Sequence, residues 1–119
     1  MAWSAKTQIS SAVTVNTTTR QDQSTAVTLN PGESAHVQVS ADLSTVSALL
    51  VYVLTTLDDT TETWDHTFMG PFILTNAFDP HVVSFVVRDV YKFALIYALN
   101  TGTDTVTVSA WYRKNGINL

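Results

Sequence analysis

Alternation of apolar and polar residues with a period of two is the feature that most constrains the fold of this chain. No long stretch keeps the period of about 3.6 residues that marks an amphipathic helix. Short runs rich in β-branched residues recur instead, and turn-forming residues separate them. The pattern predicts an all-β domain. The eight predicted strands are Gln8–Val15, Ser24–Leu29, Ser34–Ser40, Ala48–Thr56, Thr67–Thr75, Val82–Val87, Tyr91–Asn100 and Thr105–Tyr112.

The composition predicts one folded domain over residues 1–119 that carries few surface charges. The chain has 119 residues and no Cys, its hydrophobic residues make up 45%, and its mean hydropathy is +0.14. These values exclude intrinsic disorder. Charged residues make up 13%, about half the usual share, and Thr and Ser supply the remaining polarity. Either hydroxyl groups hydrate such a surface or neighbouring subunits cover it.

The charge balance and the segment lengths exclude two classes of partner. A formal net charge of −4 and a pI near 5.0 argue against nucleic-acid binding, which depends on Lys and Arg contacts to phosphates. The most apolar segment, Val46–Leu57, is too short to cross a bilayer, so we expect no membrane partner. Met1–Lys6 lacks the apolar run of a secretory signal, so we expect no export signal there.

Two turn sequences bear on how the strands are arranged. Asn30–Gly32, with Pro31 at its centre, predicts a tight turn that joins the second and third strands as a hairpin. Asn100–Asp104, with Gly102 as its left-handed residue, is expected to join the last two strands as another hairpin. Each hairpin would keep consecutive strands in one sheet. We therefore expect a single antiparallel β-sandwich with an immunoglobulin-like Greek key, with a jelly roll as the alternative.

Tyr91 and the two ends of the chain complete this expected architecture. Tyr91 stands at the corner before the penultimate strand, as in a tyrosine corner, where the hydroxyl bonds to backbone a few residues upstream. The alternative is a core aromatic residue that begins a strand. Residues 1–7 and 113–119 lack strand patterning and are expected to form arms or tails that contact neighbouring subunits.

The longest irregular stretch, Leu57–Asp65, contains the acidic residues Asp58, Asp59, Glu62 and Asp65. Clustered carboxylates are suited to calcium, but this loop lacks the glycine and the ligand spacing of an EF-hand. Paired carboxylates also serve glycosidases, provided that they face each other across a cleft. The simplest interpretation is a solvated acidic loop or a charged contact for a neighbouring protein.

No sequence motif indicates catalysis or a bound cofactor. The chain has neither a glycine-rich phosphate loop nor a nucleophile elbow. The three histidines do not have the spacing of paired metal ligands. They are His36, His66 and His81. We therefore expect no enzymatic activity, no metal and no cofactor.

Aromatic residues outside the predicted core offer an alternative to a purely structural role. Trp64 lies in the acidic loop, Trp3 lies near the N-terminus, and in the adjacent pair Trp111–Tyr112 one ring must face out. An exposed ring beside carboxylates is typical of a sugar-binding face, because rings stack on sugars while acids bind hydroxyls. An exposed Trp also suits a protein contact. The residues of the candidate sugar site are Trp64, Asp58, Asp59 and Asp65.

Arg113 and Lys114 form an adjacent basic pair near the end of the sequence. If this pair and the acidic loop lie on different sides, the pair of one copy could bind the loop of the next. Such a heterologous contact is the kind that closes rings. The candidate protein-contact residues are therefore Trp3, Asp58, Asp59, Glu62, Trp64, Asp65, Arg113 and Lys114.

Two stretches, together roughly a third of the chain, resemble known modules. Residues 90–116, VYKFALIYALNTGTDTVTVSAWYRKNG, resemble the closing hairpin and tail of small β-sandwich virion proteins of tailed bacteriophages. Residues 28–39, TLNPGESAHVQV, are similar to the first hairpin of many bacterial and phage immunoglobulin-like modules.

The resemblance implies a structural virion protein without catalytic residues, namely a capsid decoration or cement subunit. Its expected partners are the major capsid protein and further copies of itself. Its expected location is the capsid surface, after assembly in the host cytoplasm. Two alternatives stay open: a glycan-binding module of a fibre or tail tip, with a host-surface glycan as partner, and a head–tail or tail accessory protein.

Overall fold

A computed structural model describes residues 2–43, 48–78, 80–101 and 105–116. Gly102, the expected left-handed turn residue, lies outside these ranges. The strands of the described residues are β1 (Ala2–Trp3), β2 (Thr7–Val15), β3 (Val27–Thr28), β4 (Ser34–Asp42), β5 (Ala48–Thr56), β6 (Met69–Thr75), β7 (His81–Arg88), β8 (Lys92–Leu99) and β9 (Val106–Gly116).

The strands form two antiparallel sheets that pack against each other, which confirms the predicted β-sandwich. The first sheet has the order β2-β9-β4-β7, and β1 continues the β2 edge along the end of β9. The second sheet has the order β3-β8-β5-β6. Beyond β3, the edge of β8 is paired by irregular chain, since the backbone N–H groups of Gln21 and Ser24 donate to Tyr97 and Leu95.

The connections between strands follow a jelly roll, so the immunoglobulin-like arrangement expected from the sequence is wrong. From β2 to β9, successive strands alternate between the sheets except at β5 and β6, which are neighbours in the second sheet. The turn at Asn30–Gly32 forms as predicted, with the Glu33 N–H donating to the Asn30 carbonyl at 2.9 Å. It nevertheless leads from β3 in one sheet to β4 in the other. The connection from β8 to β9 also crosses between sheets, so neither predicted hairpin exists.

The core fills the space between the sheets through the alternation seen in the sequence. On β4, Ala35, Val37 and Val39 are buried, while His36 and Gln38 are exposed, as predicted. Full burial of one aliphatic side chain contributes about 2 kcal/mol relative to exposure, so these contacts supply the main driving force for folding. The largest buried side chains are Tyr97, Phe93, Leu43, Leu49, Leu74, Leu95 and Leu99.

Ala2–Trp3 and residues 113–116 lie in paired strands, so the expectation of arms over 1–7 and 113–119 is wrong for these residues. Ala2–Trp3 pairs with Asn115–Gly116, and β9 continues past its predicted end at Tyr112. This pairing gives the backbone N–H and C=O groups of both segments hydrogen-bond partners. The sequence pattern of either segment alone does not indicate that they pair. Met1 and residues 117–119 lie outside the described residues.

Candidate functional site

The acidic loop between β5 and β6 is held in place by its own carboxylates. Asp65 accepts hydrogen bonds from the backbone N–H of Thr55 at 3.0 Å and from its hydroxyl at 2.6 Å. Asp58 accepts a hydrogen bond from the backbone N–H of Thr63 at 2.8 Å. Asp and Ser/Thr groups commonly stabilise turns in this way. Both carboxylates therefore tie the loop together and to the end of β5.

The other two acids of the loop contact the corner before β8. Lys92 Nζ lies 3.1 Å from Glu62 Oε1 and donates to the backbone carbonyl of Asp59 at 3.2 Å. The Tyr91 hydroxyl donates to the carboxylate of Asp59. This hydrogen bond is the main cause that raises the pKa of Tyr91, because the carboxylate accepts from the protonated phenol. The loop and the corner are thus joined by an ion pair and two hydrogen bonds.

Tyr91 is therefore not a tyrosine corner. Its hydroxyl bonds to the side chain of Asp59 rather than to nearby upstream backbone, and the residue is 37% exposed. The chain turns just before it at Asp89, which has a φ of 61°, a conformation that Asp tolerates better than most residues. The side chain links two loops at one end of the sandwich.

The acidic loop brings the sequence-predicted residues together, but their carboxylates already form hydrogen bonds with other groups of the protein. Each of the four carboxylates accepts at least one hydrogen bond from the protein. Among the described residues, no three His, Asp or Glu side chains are grouped so that they could hold a metal ion. Trp64 is half-buried in a groove that Leu57 and Val90 also line. A sugar bound beside Trp64 would have to compete with the hydrogen bonds that these carboxylates already make.

Arg113 and Lys114 point to opposite faces of β9 because side chains alternate along a strand. Lys114 Nζ donates to the carbonyl of Thr28 at 3.2 Å and lies 3.7 Å from Glu33 Oε1. Arg113 remains exposed on the outer face of the first sheet and donates to the carbonyl of Ser4 at 3.1 Å. The adjacent pair therefore does not act as one basic group.

The end of β9 and the acidic loop lie at the same end of the sandwich. Asn115 on β9 pairs with Ser34, and Ser34 pairs with Arg88 at the end of β7. The corner that follows Arg88 carries Tyr91, whose hydroxyl contacts the loop. The condition for the ring contact proposed from the sequence, that the two charged groups lie on different sides, is therefore not met.

A different set of side chains meets on the outer face of the first sheet. Strand register places Trp111 of β9 directly opposite Gln38 of β4, and Arg113 opposite His36. Lys6 Nζ lies over the Trp111 ring, 4.7 Å from its centroid. Directly opposite residues of an antiparallel pair share a face, so these groups form one surface.

Trp3 extends this surface, because its ring centroid lies 6.2 Å from that of His36. A shallow pocket of about 290 Å³ lies between the side chains. The alternation along a strand indicates from the sequence that one ring of the Trp111–Tyr112 pair faces out. Apart from Arg113 of β9, the other members come from β1, β4 and the link between β1 and β2, whose positions against β9 are not readable from the sequence. We call this surface the aromatic-basic face. Its residues are Trp3, Lys6, His36, Gln38, Trp111 and Arg113.

The outer face of the second sheet is apolar. Leu50 of β5 stands opposite Ile73 of β6 and Ala98 of β8, and Tyr52 stands opposite Ile96. On a sheet face that meets water, the outward-facing residues are usually polar. Ile73 is apolar and yet 54% exposed on this face. We call this surface the apolar outer face. Its residues that reach the surface are Leu50, Tyr52, Ile73 and Ile96, whereas Ala98 beside them is buried.

Arg20 covers one part of the apolar outer face. Its guanidinium lies 4.0 Å from the ring centroid of Tyr52 and donates to the Thr67 hydroxyl at 2.7 Å. Ile73, at the β6 edge, has no such cover, and Phe78 in the turn after β6 is 64% exposed. Apolar surface therefore remains open to contact at this edge.

The comparisons with known proteins do not assign the chain to a family. No protein-family model matches the chain, and no curated protein matches its sequence. In the part of the chain that the structure describes, no helix is long and apolar enough to cross a membrane. The chemistry of the two outer faces is therefore the basis on which a function is proposed.

Proposed function

We propose that the protein is a non-enzymatic structural virion protein, a capsid decoration or cement subunit of a tailed bacteriophage. The apolar outer face carries this proposal. Ile73 is 54% exposed, and Leu50, Tyr52 and Ile96 beside it are partly exposed. Apolar side chains that a soluble domain leaves open next to one another mark a site of contact with another protein. In this proposal the face binds the shell of major capsid proteins, and Ile73 and Leu50 lie at the centre of the contact.

The scarcity of charge on this face supports a contact with another protein. A charge that is buried without a partner is costly, so a surface that must be covered benefits from having none. The nearest cation, Arg20, is already held by Tyr52 and Thr67. A partner could therefore cover Leu50 and Ile73 without leaving a charge unpaired.

Two further observations agree with this role. The closing stretch of the sequence resembles that of small phage virion proteins, and eight-stranded jelly rolls are common in viral capsid proteins. Neither observation determines function by itself, since one fold serves many functions. The chemistry of the apolar outer face is what selects a subunit contact.

Quantitative mass spectrometry of gradient-purified particles tests the proposal. A copy number comparable to that of the major capsid protein would support a decoration or cement subunit. A far smaller number would instead favour a head–tail or tail accessory protein. Absence from the particles would contradict any virion role.

Substitution of the apolar outer face tests which surface makes the contact. Ile73→Asp places a charge in the proposed interface, so binding to shells that lack the subunit should weaken by at least about tenfold. Val86→Asp is the matched control, because Val86 is 48% exposed on the outer face of the other sheet. Sedimentation of the purified variants with such shells measures both. Equal binding by the two variants would contradict the assignment of this face.

A further inference from the structure

We propose that the aromatic-basic face binds an acidic saccharide, with a sugar ring against Trp111 and the sugar carboxylate between Lys6 and Arg113. This site lies on the opposite side of the sandwich from the apolar outer face. It shares no residue with the acidic loop, for which the sequence suggested sugar binding. A subunit that binds a shell through the apolar outer face would leave this site open to solvent.

The two cations of the aromatic-basic face, Lys6 and Arg113, explain why the proposed ligand is acidic. The ion pairs of the described residues join Arg88 to Asp89, Lys92 to Glu62 and Lys114 to Glu33, and none includes Lys6 or Arg113. Both side chains are exposed. Arg113 uses one N–H group on the Ser4 carbonyl, which leaves other donors of its guanidinium for a ligand. Arginine pairs with carboxylates through two parallel hydrogen bonds, and a nearby ammonium adds to the attraction.

The rings of Trp111 and His36 and the amide of Gln38 explain why the proposed ligand is a sugar. Trp111 is half-buried in the middle of the sheet, and Lys6 Nζ lies over its ring. In the proposed complex Lys6 turns to the sugar carboxylate, and the pyranose stacks on the ring through its C–H groups. Gln38 and His36 stand directly opposite Trp111 and Arg113 on β4, where they can bond to hydroxyls. The pocket of about 290 Å³ is open and shallow, which fits one unit of a longer chain better than an enclosed small molecule.

Single-stranded nucleic acid is the competing ligand class, and the charge distribution disfavours it. Such binding combines stacking rings with a row of cations that follows the phosphate backbone. Only Lys6 and Arg113 supply full positive charges here, and the whole chain carries a net charge of −4. A single carboxylate needs no more than these two groups.

Isothermal titration calorimetry of the full chain tests the site. The acidic probes are a tetramer of galacturonate, a tetrasaccharide of hyaluronan and a dimer of sialic acid. Maltotetraose is the neutral probe, and an oligo-dT octamer represents nucleic acid. We expect saturable binding of at least one acidic probe, weaker at high salt because the contact is ionic, and no comparable binding of maltotetraose or oligo-dT.

Substitutions at three positions of the face locate the binding site. Lys6→Gln and Arg113→Gln should each weaken binding of the acidic probe by about tenfold, which corresponds to the loss of one charged contact. Arg88→Gln is the matched control, because it removes the same charge from the edge strand β7 at a residue that does not line the pocket, and it should leave binding unchanged. Trp111→Phe should retain part of the stacking and weaken binding less than Trp111→Ala.

Clear outcomes would overturn the proposal. Failure of all three acidic probes to bind, equal binding of maltotetraose, or tighter binding of oligo-dT would each contradict it. An equal loss in Arg88→Gln and Lys6→Gln would show a general charge effect rather than a site. Because Lys6 is exposed, its substitution leaves the core intact, so the test does not depend on whether Trp111→Ala folds. None of these results bears on shell binding, so the two proposals fail separately.

Discussion

At the scale of single residues, Tyr97 shows how the core accommodates a polar group. Its side chain is fully buried, and its hydroxyl lies 2.6 Å from the hydroxyl of Ser10 on the facing sheet. Ser10 stands where β2 shifts register, just before Ala12 with its φ of 48°. Burial raises the pKa of Tyr97 to about 12, and the hydrogen bond with Ser10 opposes the shift. The core thus holds a phenol that resists ionisation.

This shift predicts a loss of stability at high pH. Between pH 10 and pH 12 the unfolded chain loses the Tyr97 proton while the folded chain keeps it. The contribution is therefore fully present below pH 10 and is lost as pH rises towards about 12. The loss should approach about 3 kcal/mol, since one pKa unit corresponds to about 1.4 kcal/mol.

Urea denaturation of the native protein and of Tyr97→Phe across this pH range measures the effect. The free energy of unfolding of the variant should fall less steeply, because Phe has no proton to lose. Taking the difference between the two proteins removes the contributions of other groups that titrate in this range. Parallel pH profiles would show that Tyr97 does not cause the loss.

Residue orientation was largely predictable from the sequence, whereas the contacts between distant residues were not. The alternation of Val37 and Val39 with His36 and Gln38 is predictable because it follows from period two alone. The meeting of Lys6 with Trp111 depends on the register of β2 against β9, which contains two shifts. Such shifts leave no periodic signal in the sequence.

At the scale of elements, turn chemistry was predictable, but the sheet to which each strand belongs was not. Pro31 and Gly32 fix a turn, and the turn is present. At the end of a sandwich, the chain that follows such a turn can pair in the sheet that it has just left or cross to the facing sheet. The choice depends on which edges stay unpaired elsewhere, so local residues do not decide between an immunoglobulin-like fold and a jelly roll.

The β5–β6 loop provides a prediction at this scale. Asp65→Asn removes the charge from the two hydrogen bonds that Thr55 donates, so the free energy of unfolding should fall by about 1 kcal/mol. Hydrogen exchange of the Thr55 N–H should also become faster. Asp89→Asn is the control, because its carboxylate is exposed and lies 4.0 Å from Arg88. An equal change in both variants would indicate a general charge effect.

At the scale of the whole molecule, the sandwich separates two surfaces of different chemistry. The apolar outer face belongs to the second sheet, and the aromatic-basic face belongs to the first. The core lies between them, and they have no side chain in common. Sites that are far apart and share no partner usually act independently.

We therefore expect the two activities to be separable by substitution. Ile73→Asp should weaken shell binding and leave the affinity for the acidic saccharide unchanged, whereas Lys6→Gln should do the reverse. Because the sites are independent, the double variant should show each loss at the size that it has in the single variant. Sedimentation with shells and calorimetry on the same protein preparations measure both. A change in saccharide affinity caused by Ile73→Asp would contradict this independence.

The central position of β9 also has a consequence for synthesis on the ribosome. Strand β9 lies between β2 and β4, which are made long before it. Until residue 116 has left the exit tunnel, the edges of these two strands that pair with β9 stay unpaired. Contacts between such distant segments form slowly, and open edges invite aggregation. We therefore expect the nascent chain to depend on chaperone protection, or on rapid translation of its last third, more than a fold built from neighbouring hairpins would.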